Sequence, residues 1–300
     1  MSKYVDYIIV GGGVSGCVLS YMLMKHGADV VLYDLPNENI SSSVATGLWN
    51  PIVLKRMRKV WKAEAMMDEL HNVYGDMEKW TNSQFFDPIP IRRVFHDVSE
   101  QNTWTELCDS PSFKEYLDDK IVPLPNGIRG DFKSGKMKGT GRLKVVHFMN
   151  AVHVALKETD SFREKRFNWE KVHRNSEGVS YGDIKAHGII SCEGAQMALN
   201  MQSIDQKGFS PVKGELLRVK LDKSLHNECI HQKYFMLSEG EDKISVGATF
   251  AWDGFLKGPT REKRNELEQH LNTVWKGSFE TEEHLSGIRP ATKDRKPIIG

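Results

Sequence analysis

Gly11, Gly13 and Gly16 stand in the pattern Gly-x-Gly-x-x-Gly, and Asp34 follows 18 residues after the last of them. That combination can hold the diphosphate and ribose of a dinucleotide. Gly11 permits a tight turn, Gly13 lets the backbone approach a pyrophosphate closely, and Gly16 lets the following helix pack near the preceding strand. The N–H groups where that helix starts, at Val14 and Ser15, and the positive end of its dipole face the phosphates. Asp34 can accept hydrogen bonds from ribose hydroxyls, and its charge disfavours a 2′-phosphate and hence NADP. The motif alone does not choose between NAD and FAD.

The elements that must position these residues are in register with them. Tyr7-Ile8-Ile9-Val10 is a short apolar run suited to a fully buried parallel strand. A helix fits residues 14–26, with Val14, Val18, Tyr21 and Met22 at three-to-four spacing. Lys25 and His26 close it where cations are favoured, and Gly27 is a natural residue after its end. Val30-Val31-Leu32-Tyr33 makes a second buried strand ending at Asp34.

After Asp34 a compact NAD fold returns soon to a helix. Residues 36–50 instead keep Ser41, Ser42, Ser43, Thr46 and Gly47. Here the chain resembles the D-amino-acid oxidase / glycine oxidase family of FAD-dependent oxidoreductases. That family carries a Ser/Thr-rich stretch followed by Ala-x-Gly in this place, lining flavin and phosphates. The resemblance assigns Ser41, Ser42, Thr46, Gly47 and Leu48 to contacts with FAD. Residues 139–157 look like the family segment that re-enters the cofactor domain, with Val145, Phe148, Val152, Ala155 and Leu156 as a helical apolar stripe. Residues 166–172 resemble the strand whose backbone pairs with the adenine edge, Val172 being the matching position. Residues 186–195 resemble the apolar strand ending in a glycine turn, at Gly194, near the cofactor. Residues 287–300 match the family pattern G-x-R-P-x-T-x-D-x-x-P-x-I-G, the most specific match in the chain.

The resemblance implies an α/β fold: an FAD-binding Rossmann-like domain of the glutathione-reductase type with an inserted, mainly antiparallel α+β substrate domain. The cofactor domain is expected to comprise residues 1–56, 139–208 and 285–300, and the substrate domain residues 57–138 and 209–284. Family members continue past the position of Gly300 with a strand, a glycine-rich turn and a closing helix near the flavin ring, so the cofactor domain is expected to lack that closing segment here. Within the second domain a helix fits residues 59–80, with Trp61, Ala65, Val73, Met77 and Trp80 as its apolar positions. Residues 214–221, 230–237 and 243–250 read as strands, and residues 260–276 as an amphipathic helix with Leu267, Leu271, Val274 and Trp275 on one side.

An FAD enzyme leaves the redox chemistry to its cofactor, so the absence of a Ser-His-Asp or metal-ligand pattern is expected. A substrate carboxylate needs a planar two-donor partner, which a guanidinium supplies. By resemblance Arg289 binds that carboxylate and Tyr234 faces the substrate. Trp49 stands where it could pack near the flavin or in the core. Gly130-x-x-x-x-Gly135-Lys136 nearly spells a phosphate-binding loop, but Met137 replaces the needed Ser/Thr and no buried strand precedes it, so a solvated basic loop is expected. His147 and His153 lack metal-ligand spacing and read as ordinary helix residues.

The chain has 300 residues, 39% hydrophobic and 27% charged, which suits a globular protein with a sizeable core. Its net charge of +1 gives no electrostatic case for nucleic acid or an anionic membrane. No apolar run approaches a membrane span, and four scattered cysteines suit reduced thiols, so a cytoplasmic protein is expected. The leading expectation is FAD-dependent oxidation of the C–N bond of a small amine or amino acid of the glycine, D- or N-methyl type. One alternative is an FAD-dependent oxidoreductase modifying a wobble uridine in tRNA. Another is a non-catalytic FAD- or NAD-binding protein. No sequence feature indicates an oligomeric state.

Overall fold

The computed structural model describes residues 3–35, 41–176, 178–200 and 208–298. The start of the Ser/Thr-rich segment, residues 36–40, and the final Ile299 and Gly300 of the C-terminal motif lie outside the described residues.

The strand Lys3–Val10 is the centre of a six-stranded sheet. It pairs in parallel with Val30–Asp34 on one side and Ile184–Ser191 on the other. Phe162–Glu164 extends the parallel part beyond Val30–Asp34. Gly178–Tyr181 and His173–Asn175 complete the far edge as an antiparallel meander. A central parallel strand has both faces covered, which is why it reads as an unbroken apolar run. Ile9 faces a core that includes Phe148, Val152 and Leu156 of the helix Val145–Glu158, whereas Ile8 and Val10 face a second core with Tyr33, Tyr181 and Ile184. The expected stripe of Val145, Phe148, Val152, Ala155 and Leu156 is buried.

A seven-stranded sheet holds Phe279–Arg289, Val212–Leu221, Lys243–Gly247, Phe235–Gly240, Cys229–His231, Ile91–Val94 and Ser134–Lys136, in that order. All its pairings are antiparallel except Cys229–His231 with Ile91–Val94. The helix Arg261–Val274 covers one face, burying Leu267, Leu271 and Val274, with Trp275 beside them. Thr260 caps this helix by accepting from the Lys263 N–H. Phe279–Arg289 runs unbroken across residue 285 within this sheet.

Several expected elements differ in extent. The helix expected over 59–80 is Ala63–Thr81, because Arg58 and Lys59 pair with Val53 and Ile52 and Lys62 adopts a left-handed conformation. Trp61 therefore lies outside the helix, and both it and Ala65 are exposed. The face that packs is Val73, Tyr74, Met77 and Trp80. The strand expected over 230–237 is two strands separated by a turn at Gln232–Tyr234, where the Gln232 N–H donates to the Tyr234 carbonyl. The strand expected over 243–250 ends at Gly247. The near phosphate-binding sequence is a solvated loop only in its first half, where Gly130, Asp131 and Lys133 are exposed; Gly135 lies in the strand Ser134–Lys136, with no room for a side chain against Trp104. Among the described residues no helix is long and apolar enough to cross a membrane.

Two histidines tie this packing to pH. Burial, then the neighbouring Arg93 charge, pushes His231 down to about 4. Burial pushes His270 down to about 4 as well, and its Nε2 is buried without a hydrogen-bond partner among the described residues. Unfolded, both imidazoles take up a proton near pH 6.5, so unfolding binds protons between about pH 6.5 and 4. Stability should therefore fall on acidification through that window, by up to about 2.7 kcal/mol per pH unit for the two groups together. Urea midpoints followed from pH 7 to 4.5 should show this decline, and His231→Gln should flatten it; an unchanged slope in that variant contradicts the assignment.

Candidate functional site

The glycine turn lies at the carboxyl ends of the parallel strands, the crevice in which open α/β sheets bind ligands. Gly11 has φ of +102°, and a Cβ there would lie 2.6 Å from the Cys192 carbonyl oxygen. A Cβ on Gly16 would lie 1.9 Å from the Gly11 carbonyl oxygen, so the helix Val14–Lys25 starts in contact with the turn. Its N-cap is Gly13, which has no side chain to satisfy the first-turn N–H groups, and no carboxylate sits in that turn. Ser42 supplies one oxygen, its hydroxyl accepting from the Val14 N–H at 3.3 Å, and Ser15 is exposed beside it. Asp34 packs against Gly12, where an added Cβ would stand 2.8 Å from its Cβ. A helix N-terminus without its own side-chain cap or carboxylate, next to an acid at the adjoining strand end, suits the pyrophosphate and ribose of FAD.

The Ser/Thr-rich segment is a short helix, Ser41–Val44, followed by the strand Leu48–Trp49. It is held from both sides. The Ser41 hydroxyl donates to the Ile288 carbonyl, and Gly287 packs against Ser41 and Val44. Across the segment, Gly47 has φ of +71° and accepts from the Leu143 N–H at 3.0 Å. Leu48 pairs with Arg142, whose side chain donates to the Thr46 carbonyl and forms an ion pair with Glu239. Trp49 stacks on Phe86 at 5.2 Å, in an aromatic group with His71 and Tyr74.

A cavity of about 270 Å³ opens against this segment, its walls including Leu48, Leu216, Phe235 and Arg289. A second cavity of about 550 Å³ shares Val44, Ala45, Thr46 and Leu216 with it. The second contains several ion pairs of its own: Arg142 with Glu239, Arg218 with Glu283, and Lys243 with Glu282. Arg289 differs. Its Nη1 donates to the Thr249 carbonyl at 3.4 Å and its guanidinium lies 4.7 Å from the Phe250 ring, with no carboxylate in ion-pair contact among the described residues.

The structure does not bring Tyr234 to this cavity. Tyr234 and Met236 point into the core under the helix Arg261–Val274, where the Tyr234 hydroxyl bonds to Glu266. The alternation of the hairpin turns Phe235 the other way, towards Arg289. Residues 166–172 are not a strand: Trp169–Lys171 is a single 3₁₀ turn, and the Val172 N–H donates to the Trp169 carbonyl at 3.2 Å. Gly194, with φ of +57°, lies in the turn after Ile184–Ser191. His153 is more than an ordinary helix residue, because its Nε2 lies 3.0 Å from the Gly12 carbonyl oxygen. Its place on the edge of the buried stripe, next to Val152, was the available clue.

A family model described as FAD dependent oxidoreductase (DAO) matches residues 6–300. A glycine oxidase from Bacillus subtilis is 20% identical over 319 residues, which cover all of this chain and 85% of that protein. The crystal structure of a glycine oxidase from Geobacillus kaustophilus superposes with a TM-score of 0.78 at 16% identity, covering 100% of this chain and 86% of that one. An iminodiacetate oxidase from Chelativorans sp. BNC1 superposes with a TM-score of 0.75 at 17% identity, covering 96% and 84%. With the glycine turn and the Arg289 strand both in contact with the Ser/Thr-rich segment, and with the family model matching residues 6–300, this chain belongs to the DAO family of FAD-dependent oxidoreductases.

Proposed function

We propose that the protein oxidises the C–N bond of a small amine carrying a carboxylate, an amino acid of the glycine, D- or N-methyl type. The observation that carries this reading is Arg289. Its guanidinium stays charged, burial works against that charge, and no protein carboxylate pairs with it among the described residues. A half-buried cation with no counter-ion is costly, and a bidentate carboxylate relieves that cost. Arg289 lines the same cavity as Thr46, Gly47 and Leu48, so a carboxylate held there sits next to the segment assigned to FAD. Two relatives, a glycine oxidase and an iminodiacetate oxidase, are named for amines that bear carboxylates. The four cysteines are unpaired thiols, which supports a reducing compartment such as the cytoplasm.

FAD, when bound, supplies a two-electron acceptor for the hydride that leaves the carbon next to nitrogen. Loss of that hydride and of one proton from nitrogen gives an imine, which water hydrolyses to a carbonyl acid and a free amine. Arg289 fixes the carboxylate end, and the apolar walls of Leu48, Leu216 and Phe235 limit water around the reacting carbon. Gly214 gives the guanidinium its place: a Cβ there would come within 2.4 Å of Nη1.

Anaerobic addition of glycine, N-methyl amino acids and D-amino acids should bleach the flavin absorbance for at least one member of the panel. Bleaching only by amines without a carboxylate would sink the proposal. Arg289→Lys should lower kcat/KM for the best substrate by about 10- to 100-fold while FAD binding is kept, because a two-pronged charged contact becomes a point charge. Gly214→Ala should raise KM about 10-fold by displacing the guanidinium. Unchanged kinetics in both variants contradict the role given to Arg289.

A further inference from the structure

We propose that His153 is a cofactor-positioning residue, which donates from Nε2 to the Gly12 carbonyl and so sets the direction of the Gly13 N–H at the pyrophosphate turn. The proposal rests on FAD as the cofactor. His153 belongs to the helix Val145–Glu158, remote in sequence from the turn it touches. Its Nε2 lies 3.0 Å from the Gly12 oxygen. The same oxygen receives the Cys17 thiol at 3.2 Å, and the two donors are 3.6 Å apart. Phe162 stacks on the imidazole with ring centres 4.6 Å apart, which fixes its plane.

The consequence follows from peptide geometry. The Gly12–Gly13 bond is trans, and in a trans peptide the C=O and N–H point in opposite directions. Holding the Gly12 carbonyl towards His153 and Cys17 therefore turns the Gly13 N–H away from them, to the open side of the turn. Glycine needs this fixing more than other residues, because without a side chain its backbone is the most permissive. Space around the peptide is tight as well: a Cβ on Gly12 would meet His153 Nε2 at 2.7 Å and the Asp34 Cγ at 2.8 Å. The imidazole and the acid expected to meet the ribose thus both crowd the Gly12 peptide.

Burial lowers the His153 pKa, which favours a neutral ring carrying a single N–H, and the carbonyl in front of Nε2 places that proton there. Burial raises the Cys17 pKa, so the thiol also remains a donor, though a weak one. The imidazole supplies the stronger of the two bonds.

The test is FAD affinity of the apoprotein, read by flavin fluorescence, across three variants. His153→Gln places an amide N–H at a reach similar to Nε2 and should bind FAD within about 2-fold of the wild type. His153→Leu keeps the packing on Phe162 but removes the donor. His153→Asn keeps a donor that is too short. Both should bind FAD about 5- to 10-fold more weakly, the range expected for one hydrogen bond. ADP, which carries the pyrophosphate without the flavin, should weaken by the same factor. Thermal unfolding of the apoproteins should not separate Gln from Asn. Wild-type FAD affinity in either the Leu or the Asn variant overturns the proposal, as does an equal loss in the Gln and Asn variants. Should Leu fail to fold, the comparison of Gln with Asn decides alone.

Discussion

The cofactor end of this molecule depends on one close contact: the helix Val14–Lys25 begins against the carbonyl of Gly11. Any side chain at position 16 would collide with that oxygen, and any at position 11 would collide with the Cys192 carbonyl. With both absent, the strand Lys3–Val10, the helix and the strand Ile184–Ser191 converge on one turn. The first-turn N–H groups are thereby brought together at the crevice where the parallel strands end, with Asp34 beside them. The site proposed for the pyrophosphate is largely a property of the backbone.

The second half of the site depends on a different close approach. The strand Phe279–Arg289 runs past Ser41, whose hydroxyl bonds to the Ile288 carbonyl, and Gly214 on the neighbouring strand leaves space for the Arg289 guanidinium. The segment 41–48 is thus clamped between the substrate-side sheet and the strand Gly141–Leu143. A single unpaired cation ends up on the wall of an otherwise mostly apolar cavity. The cavity next to it differs in that its cations are paired with carboxylates.

Much of this was legible in the sequence because it is local. The apolar run Tyr7–Val10, the spacing of the three glycines and the acid after Val30–Tyr33 each follow from neighbours along the chain. So does the buried stripe of Val145, Phe148, Val152 and Leu156. The failures are where tertiary contact overrides local pattern. Apolar spacing suggested a helix from residue 59, but a two-residue ribbon with Ile52 and Val53 claims its first turn. Tyr234 was expected to face the substrate; a tight turn inside the expected strand directs it into the core beside Glu266, and Phe235 instead lines the cavity with Arg289. His153 touches a carbonyl 141 residues away, a contact that no local pattern encodes.

The central claim is that Arg289 receives a carboxylate next to the flavin. Its most direct test is a titration of the oxidised holoprotein with acetate, a carboxylate that lacks the amine and cannot be oxidised there. Saturable perturbation of the flavin spectrum in the wild type, lost in Arg289→Leu with FAD still bound, is the predicted result. A perturbation of the same size and affinity in Arg289→Leu would contradict it.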